Sequence, residues 1–375
     1  MVYLDNAATT KPSSECLKIY NEINAERYFN PSASYSISFN LFKEINDIRG
    51  NFIKYLGGNI STDKFVFTSG ATESNNLAIF GSCLNKQKKY LFSVGEHPSV
   101  YNCACELKNR GYLVEFIPLQ NNGQIDYEKF ESMCDENVCF VSTMFVNNET
   151  GAINDLKRIR AIIDKKTRNC IFHVDAVQGF GKIRFSVSEA KINLCSISAH
   201  KICGIKGIGG LYISQNTKLK NVNFGGGQEF GYRSGTVNVA AIFSFNESAK
   251  IVFNNIDNSI KKIAELKKHL IKKLDNIDKV KVISNNNCSP YIVSIIVEGN
   301  RGETIMRYLD SKEIYISTGS ACSSSKIGNR ILESMGYNKK QVMGAIRVSF
   351  SKDNSFEDIN LLTDNLTEYI KKINT

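Results

Sequence analysis

The chain contains no tryptophan, only 5 prolines and only 4 histidines. No apolar run approaches the ~18 residues that a membrane-spanning helix needs, so no membrane partner is expected. The opening Met1-Val2-Tyr3-Leu4-Asp5 lacks the charged, apolar and cleavage regions of an export signal, and no Arg-rich transit segment follows. A cytoplasmic protein is expected. No internal repeat or long low-complexity tract stands out. Cysteine is not scarce, at 11 residues, but its spacing suits neither a disulfide scaffold nor a metal site. Cys103-Ala104-Cys105 is the closest pair, and no second pair follows at zinc-site spacing. Free thiols and no bound metal are expected.

A net charge of +10 raises the question of nucleic acid. Much of the basic charge falls on 260–274, where Ile260, Ile263, Leu266, Leu270 and Leu274 recur at helical spacing with lysines between them. That pattern is an amphipathic helix with a solvated face. No aromatic–basic interleaving accompanies it, so no direct nucleic-acid contact is expected.

At 375 residues, 42% hydrophobic and 22% charged, the chain can bury a large core and form two domains sharing a cleft. Short β-type runs at 64–68, 90–94, 113–118, 139–146, 170–175, 194–198 and 210–214 alternate with helical stretches at 74–83, 99–110, 127–133 and 156–165. Alternation of this kind predicts an α/β fold with a mostly parallel seven-stranded sheet covered on both faces. After Gly225-Gly226-Gly227 a helix at 237–254 leads into the basic helix. Strands at 291–297, 314–317 and 345–350 and a last helix at 356–373 follow. The expected division is a large domain at 15–256 and a smaller α+β domain at 257–375, completed by residues 1–14. A mobile loop is expected at about 317–330.

The residues of chemical interest fall just after strands, where the ligand crevice of such a sheet lies. Lys201, in Ser198-Ala199-His200-Lys201 before a glycine-studded segment, can form a Schiff base with pyridoxal phosphate; the alternative is a surface lysine. Ser69-Gly70-Ala71-Thr72-Glu73 opens a helix whose N–H groups suit a phosphate, although ordinary capping explains the same residues. Asp175, in His173-Val174-Asp175-Ala176-Val177-Gln178, ends a buried strand. It can pair a pyridinium nitrogen or serve as a structural aspartate, and Gln178 can reach the ring hydroxyl. His97, in Glu96-His97-Pro98-Ser99, can stack on the ring and move protons, or be structural. Asn148 can bond the ring oxygen or build a turn.

Arg347 is a charge inside a strand pattern, either a clamp on a substrate carboxylate or half of a buried ion pair. Cys322, in Thr318-Gly319-Ser320-Ala321-Cys322-Ser323-Ser324-Ser325, is a thiol among small residues: a travelling nucleophile, or a cysteine filling a gap. A lysine that makes carbanions and a thiol that travels together suggest removal of sulfur from an amino acid.

Taken in order, these segments resemble the class V aminotransferase-like, PLP-dependent cysteine desulfurases of the NifS/IscS type, and the Gly319-Ser320-Ala321-Cys322 context resembles group I. The resemblance runs from Tyr3-Leu4-Asp5-Asn6-Ala7-Ala8-Thr9-Thr10 through Asn30-Pro31-Ser32, 68–76, Glu96-His97, 146–151, 173–178, 198–210 and 225–236 to 318–323. It implies PLP-dependent transferase fold type I, with the cofactor on Lys201 and His97 stacked on it. Asp175 and Gln178 would face the ring nitrogen and oxygen, with Asn148 beside the ring. Ala71, Thr72, Ser198 and His200 would hold the phosphate, and Thr236 would reach the neighbouring subunit's phosphate in a homodimer. Asn30 and Arg347 would hold the L-cysteine carboxylate, and Cys322 would carry a persulfide to a sulfur-acceptor protein. That acceptor would be an iron–sulfur cluster scaffold or a tRNA thiolation enzyme. Ala199 stands where the family usually has glycine, and 34–40 lacks its usual His and Gly. The alternatives are a selenocysteine lyase or other class V PLP enzyme, and a non-catalytic sulfur-relay or tRNA-modification partner.

Overall fold

The β-type runs assemble into one large sheet in a computed structural model of the chain, which describes residues 1–83, 85–284, 287–318 and 330–374. The chain starts in β1 (Val2–Tyr3), followed by helices α1 (Ser14–Glu26) and α2 (Ser36–Tyr55). The sheet then takes up β2 (Lys64–Thr68), β3 (Lys89–Ser93), β4 (Leu113–Ile117), β5 (Val138–Met144), β6 (Ile171–Asp175), β7 (Leu194–Ser198) and β8 (Gly209–Ile213). Their spatial order is β2-β8-β7-β6-β5-β3-β4. Only β8 runs against its neighbours; the other pairs are parallel. Every residue of β7 and β8 is buried, as expected of strands covered on both faces.

Helices α3 (Ala71–Ser82), α4 (Pro98–Asn109), α5 (Tyr127–Met133), α6 (Leu156–Lys166) and α7 (Val239–Asn254) link or cover these strands. Polar residues set where several begin. Asp126, Asp155 and Asn238 accept from backbone N–H groups in the first turns of α5, α6 and α7, and His97 caps α4 with Pro98 at its first position.

The basic helix is α8 (Ile256–Leu274), which buries Ile263, Leu266, Leu270 and Leu274 and turns most of its lysines outward. Beyond it lie β9 (Val280–Val282), β10 (Ile292–Val297), α9 (Gly302–Asp310), β11 (Ile314–Tyr315), β12 (Ser317–Thr318), α10 (Arg330–Ser334), α11 (Lys339–Met343), β13 (Ala345–Ser349) and α12 (Phe356–Asn374). The antiparallel order is β12-β13-β10-β9.

The single strand expected at 314–317 is two. Ile314 and Tyr315 pair in parallel with Val2 and Tyr3, whereas Ser317 and Thr318 pair with Arg347 and Ile346. The chain thus changes partners at Ile316, from the β1 edge to the β13 edge. Val2, Leu4 and Ala7 pack into a core with Ile263, Ile295, Leu309, Val348 and Leu366. A separate, larger core spans the main sheet, and Ile296, Ile331, Leu332, Val342 and Ala345 pack onto it from the C-terminal region. Cys322 and most of the expected loop at 317–330 lie outside the described residues.

Candidate active site

One cavity of about 870 Å³ opens at the carboxyl ends of the parallel strands. Its lining brings together Ala71, Thr72, His97, Asn148, Asp175, Gln178, Ser198, His200, Lys201 and Arg347, which come from most of the chain's length. Asn30 is not among them: it is exposed, and its Oδ1 accepts from the Ser32 amide at 3.0 Å in a local turn. Thr236 lines a smaller neighbouring cavity of about 270 Å³, which shares Ser69 and Gly207 with the large one.

Lys201 leaves β7 on a short helical turn, Ala199–Lys201. Its Nζ donates to the carbonyls of Ala7, at 2.7 Å, and Ala8. The N-terminal segment thus forms part of the cavity wall. Asp175 ends β6 and is almost fully buried. Its Oδ2 accepts from Asn75 Nδ2 at 2.9 Å and its Oδ1 from the Val177 amide at 3.0 Å. Among the described residues no lysine or arginine forms an ion pair with it, and its hydrogen bonds come from a neutral amide and one N–H. Gln178 donates from Nε2 to Ala7 O at 2.9 Å and accepts from Lys182 at 3.0 Å, which fixes the direction of its amide.

His97 is open to the cavity while protein atoms crowd its other sides. Its Nδ1 accepts from the Ser99 amide at 3.2 Å and lies 2.8 Å from Ser99 Oγ. A neutral ring bonded this way carries its proton on Nε2. Burial holds the His97 pKa below the usual value, with Asp175 opposing and Lys201 and Arg330 adding to the effect. His200 is pushed down to about 4, first by burial and then by Lys201, Lys182 and Lys206. His173, on β6, is fully buried and satisfied by Ser142 Oγ at 2.9 Å and Ser196 Oγ at 3.1 Å.

Arg347 points from β13 toward the cavity, where its Nη1 donates to Asn148 O at 2.8 Å and its Nη2 pairs with Asp5 at 2.7 Å. The buried ion pair foreseen as an alternative is therefore present, and Nε is left without a partner among the described residues.

Four residues escaped the motif reading. Glu96 is fully buried and neither of its carboxyl oxygens has a partner among the described residues; burial and the nearby Asp175 raise its pKa well above the carboxylate range. Burial raises Glu149 to about 8 against the pull of Arg347 and Arg330. Lys182 is buried beside Gln178, and Arg330 lines the cavity. For Glu96 and Glu149 the available signal was an acid immediately beside a chosen residue (His97, Asn148).

The residues fit pyridoxal phosphate on three grounds. Asn148 Oδ1 is buried and unpartnered among the described residues, on the cavity wall. Asp175 lacks a cation, which a protonated ring nitrogen would supply. At the start of α3 the backbones of Gly70 and Gly209 approach so closely that a Cβ on Gly209 would lie 2.8 Å from Gly70 Cα, leaving N–H groups bare for an anion.

The architecture is fold type I of the PLP-dependent transferases. A solved NifS-like protein superposes with a TM-score of 0.92 at 30% identity, covering 99% of each chain. A structure of SspA in complex with cysteine matches with a TM-score of 0.81 at 26% identity, over 93% of this chain and 99% of that one. The family model for class-V aminotransferases spans residues 2–362. A cysteine desulfurase IscS of Clostridium botulinum (strain Hall) is 34% identical over 379 aligned residues, covering 99% of this chain and 94% of the relative. The chain belongs to the class-V aminotransferase family and, within it, to the NifS/IscS-type cysteine desulfurases. Members of this family generally depend on pyridoxal phosphate.

Proposed function

We propose that the cavity holds pyridoxal phosphate on Lys201 and removes sulfur from L-cysteine, yielding L-alanine and a persulfide on Cys322. The observation that carries this reading is the meeting of Lys201, His97, Asp175, Gln178 and the start of α3 around one cavity. When bound, the cofactor supplies an electron sink for negative charge at the substrate Cα. Asp175, held by Asn75 and Val177, would face its ring nitrogen, while Gln178 and Asn148 would face its ring oxygen. The first turn of α3 at Ala71 and Thr72, with Ser198 and His200, would bind its phosphate.

The Lys201 amine would take the Cα proton. Neutral His97, with its proton on Nε2, would stack on the ring and serve proton transfer at the substrate. Arg347, and Asn30 if its loop swings inward, would hold the carboxylate. The Cys322 sulfur would attack the substrate sulfur. The persulfide would then pass to an iron–sulfur cluster scaffold or a tRNA thiolation enzyme in the cytoplasm. The active form would be a homodimer in which Thr236 reaches the neighbouring phosphate. Residues 15–256 would carry the cofactor, and 257–375 with 1–14 would form the second domain.

Two variants test this. Lys201→Ala should purify without the cofactor's visible absorbance. Cys322→Ser should keep that absorbance and release no alanine from L-cysteine. A coloured Lys201→Ala, or a Cys322→Ser that still desulfurates, would overturn the corresponding assignment.

A further inference from the structure

Arg330 begins α10 and lines the same cavity as Lys201 and Arg347. Its guanidinium lies over the Tyr101 ring, 3.5 Å from the centroid, and Nη2 donates to the Glu96 carbonyl at 2.6 Å. A ring face and a carbonyl together fix the plane of the group. Nε and Nη1 are buried, and neither has a hydrogen-bond partner among the described residues.

The acidic neighbours, Glu149 and Glu96, do not neutralise it. Neither is within ion-pair distance among the described residues, and burial pushes both toward the protonated form. A buried cation with unmet donors is unfavourable until an anion reaches it. Arg347 is placed differently, with both terminal nitrogens already bonded to Asn148 O and Asp5. One cavity therefore presents two guanidinium groups of unequal commitment. L-Cysteine offers it two anionic groups of unequal hardness, a carboxylate and an ionised sulfur. A guanidinium stacked on an aromatic ring is weakly hydrated and suits the larger, more polarisable anion.

We infer that Arg330 forms a thiolate subsite, its unpartnered N–H groups receiving the substrate sulfur while Arg347 takes the carboxylate. The subsite rests on the reading of this cavity as an L-cysteine site. It gives the protein a way to prefer a sulfur-bearing amino acid before any bond is broken. It also stabilises the ionised sulfur, because the neighbouring Glu149 and Glu96 form no ion pair with Arg330 among the described residues and are driven toward the neutral form.

The test uses holoenzyme and two acids that lack the amino group and so do not turn over: 3-mercaptopropionate and 3-hydroxypropionate. Each is titrated calorimetrically, with the cofactor absorbance followed to detect thiol addition. Wild type should prefer the mercapto acid by at least about tenfold, the scale of one hydrogen bond to a charged group. Arg330→Gln should bring the ratio close to one by weakening 3-mercaptopropionate far more than 3-hydroxypropionate. Arg330→Lys should fall between, and it carries the test if circular dichroism shows the glutamine variant misfolded. A preference that survives in the variants overturns the subsite. Equal weakening of both acids overturns it too, by putting the carboxylate at Arg330. Wild-type protein that binds neither acid overturns the cavity reading and the subsite together.

Discussion

Gly209→Ala should weaken cofactor binding through the phosphate alone. A Cβ at this position would meet Ile197 O at 2.7 Å, Gly70 Cα at 2.8 Å and Gly70 C at 2.9 Å. Carbon atoms prefer separations of about 3.5–4.0 Å, so the neighbours must give by roughly half an ångström or more. All three are backbone atoms, and no side chain can rotate away. Ile197 belongs to the buried interior of β7 and is held in register with Gly210 of β8. Gly70 lies just beyond the Thr68–Gly209 end of the β2–β8 ladder and just before α3, so it is the part free to yield.

Its movement would carry the first N–H groups of α3 off the phosphate. Overpacking of this size costs about 1–3 kcal/mol, or roughly five- to a hundredfold in affinity if the site bears it. The assay is titration of cofactor-free protein with pyridoxal phosphate and with pyridoxal, which has no phosphate. The phosphate ester should lose affinity and pyridoxal should not. Parallel losses, or no loss for the ester, would refute the phosphate cradle. Gly210→Ala is the control. Its Cβ would lie 2.1 Å from the Phe65 ring, so it should damage the core without changing the preference for the phosphate ester.

Two further outcomes concern stability. Arg49 bridges Glu229 through both terminal nitrogens, in the interior, where Glu229 also accepts from the Phe67 amide at 2.8 Å. This pair pins Glu229 and Phe230, successive non-glycine residues with φ of 54° and 59°. Arg49→Met should cost about 3–5 kcal/mol in urea unfolding by stranding the acid, and adding Glu229→Gln should recover part of it. Simple additivity of the two substitutions would show that the groups are not coupled. Burial, then the Lys201 charge, pushes Lys182 down to about 7 from 10.5. Between those values the unfolded chain binds the proton and the folded chain does not. Stability should therefore rise with pH across that window, by up to a few kcal/mol. Lys182→Met should remove that slope, and an identical slope in the variant would exclude Lys182 as its source.

The large sheet was legible because strands buried on both faces are continuous apolar runs, and the chemistry sits at their ends. Helix α2 was missed although its signal is present, since Leu41, Ile45, Ile48 and Phe52 recur at helical spacing. Helix α1 has no such signal: it buries only Cys16 and Ile23 and leaves Leu17 exposed. The split between β11 and β12 had no local signature, because it depends on the N-terminus arriving to pair with Ile314. Motif residues such as Lys201 and Asp175 stood out by type and position. Arg330 and Glu96 did not, because their significance lies in what they lack. An unmet donor or an unpaired buried acid exists only once the surrounding chain is folded.

That distinction explains why composition misleads about this cavity. The net charge of +10 is mostly a property of solvated faces such as that of α8. Inside, burial silences the ionisable groups selectively: His97 and His200 are held neutral, and Glu96 and Glu149 are driven toward protonation. The guanidinium groups of Arg330 and Arg347 cannot be silenced this way. A positive field therefore survives where a phosphate, a carboxylate and an ionised sulfur would sit. Folded proteins pair nearly all buried polar atoms, as His173 does here. Yet Asn148, Glu149, Thr318, Arg330 and Arg347 each leave a buried atom without a partner among the described residues, and all five line one cavity. Other unpartnered atoms, such as those of Glu96 and Thr143, lie elsewhere in the interior, but these five share one wall and leave donors and acceptors where ligand atoms would sit.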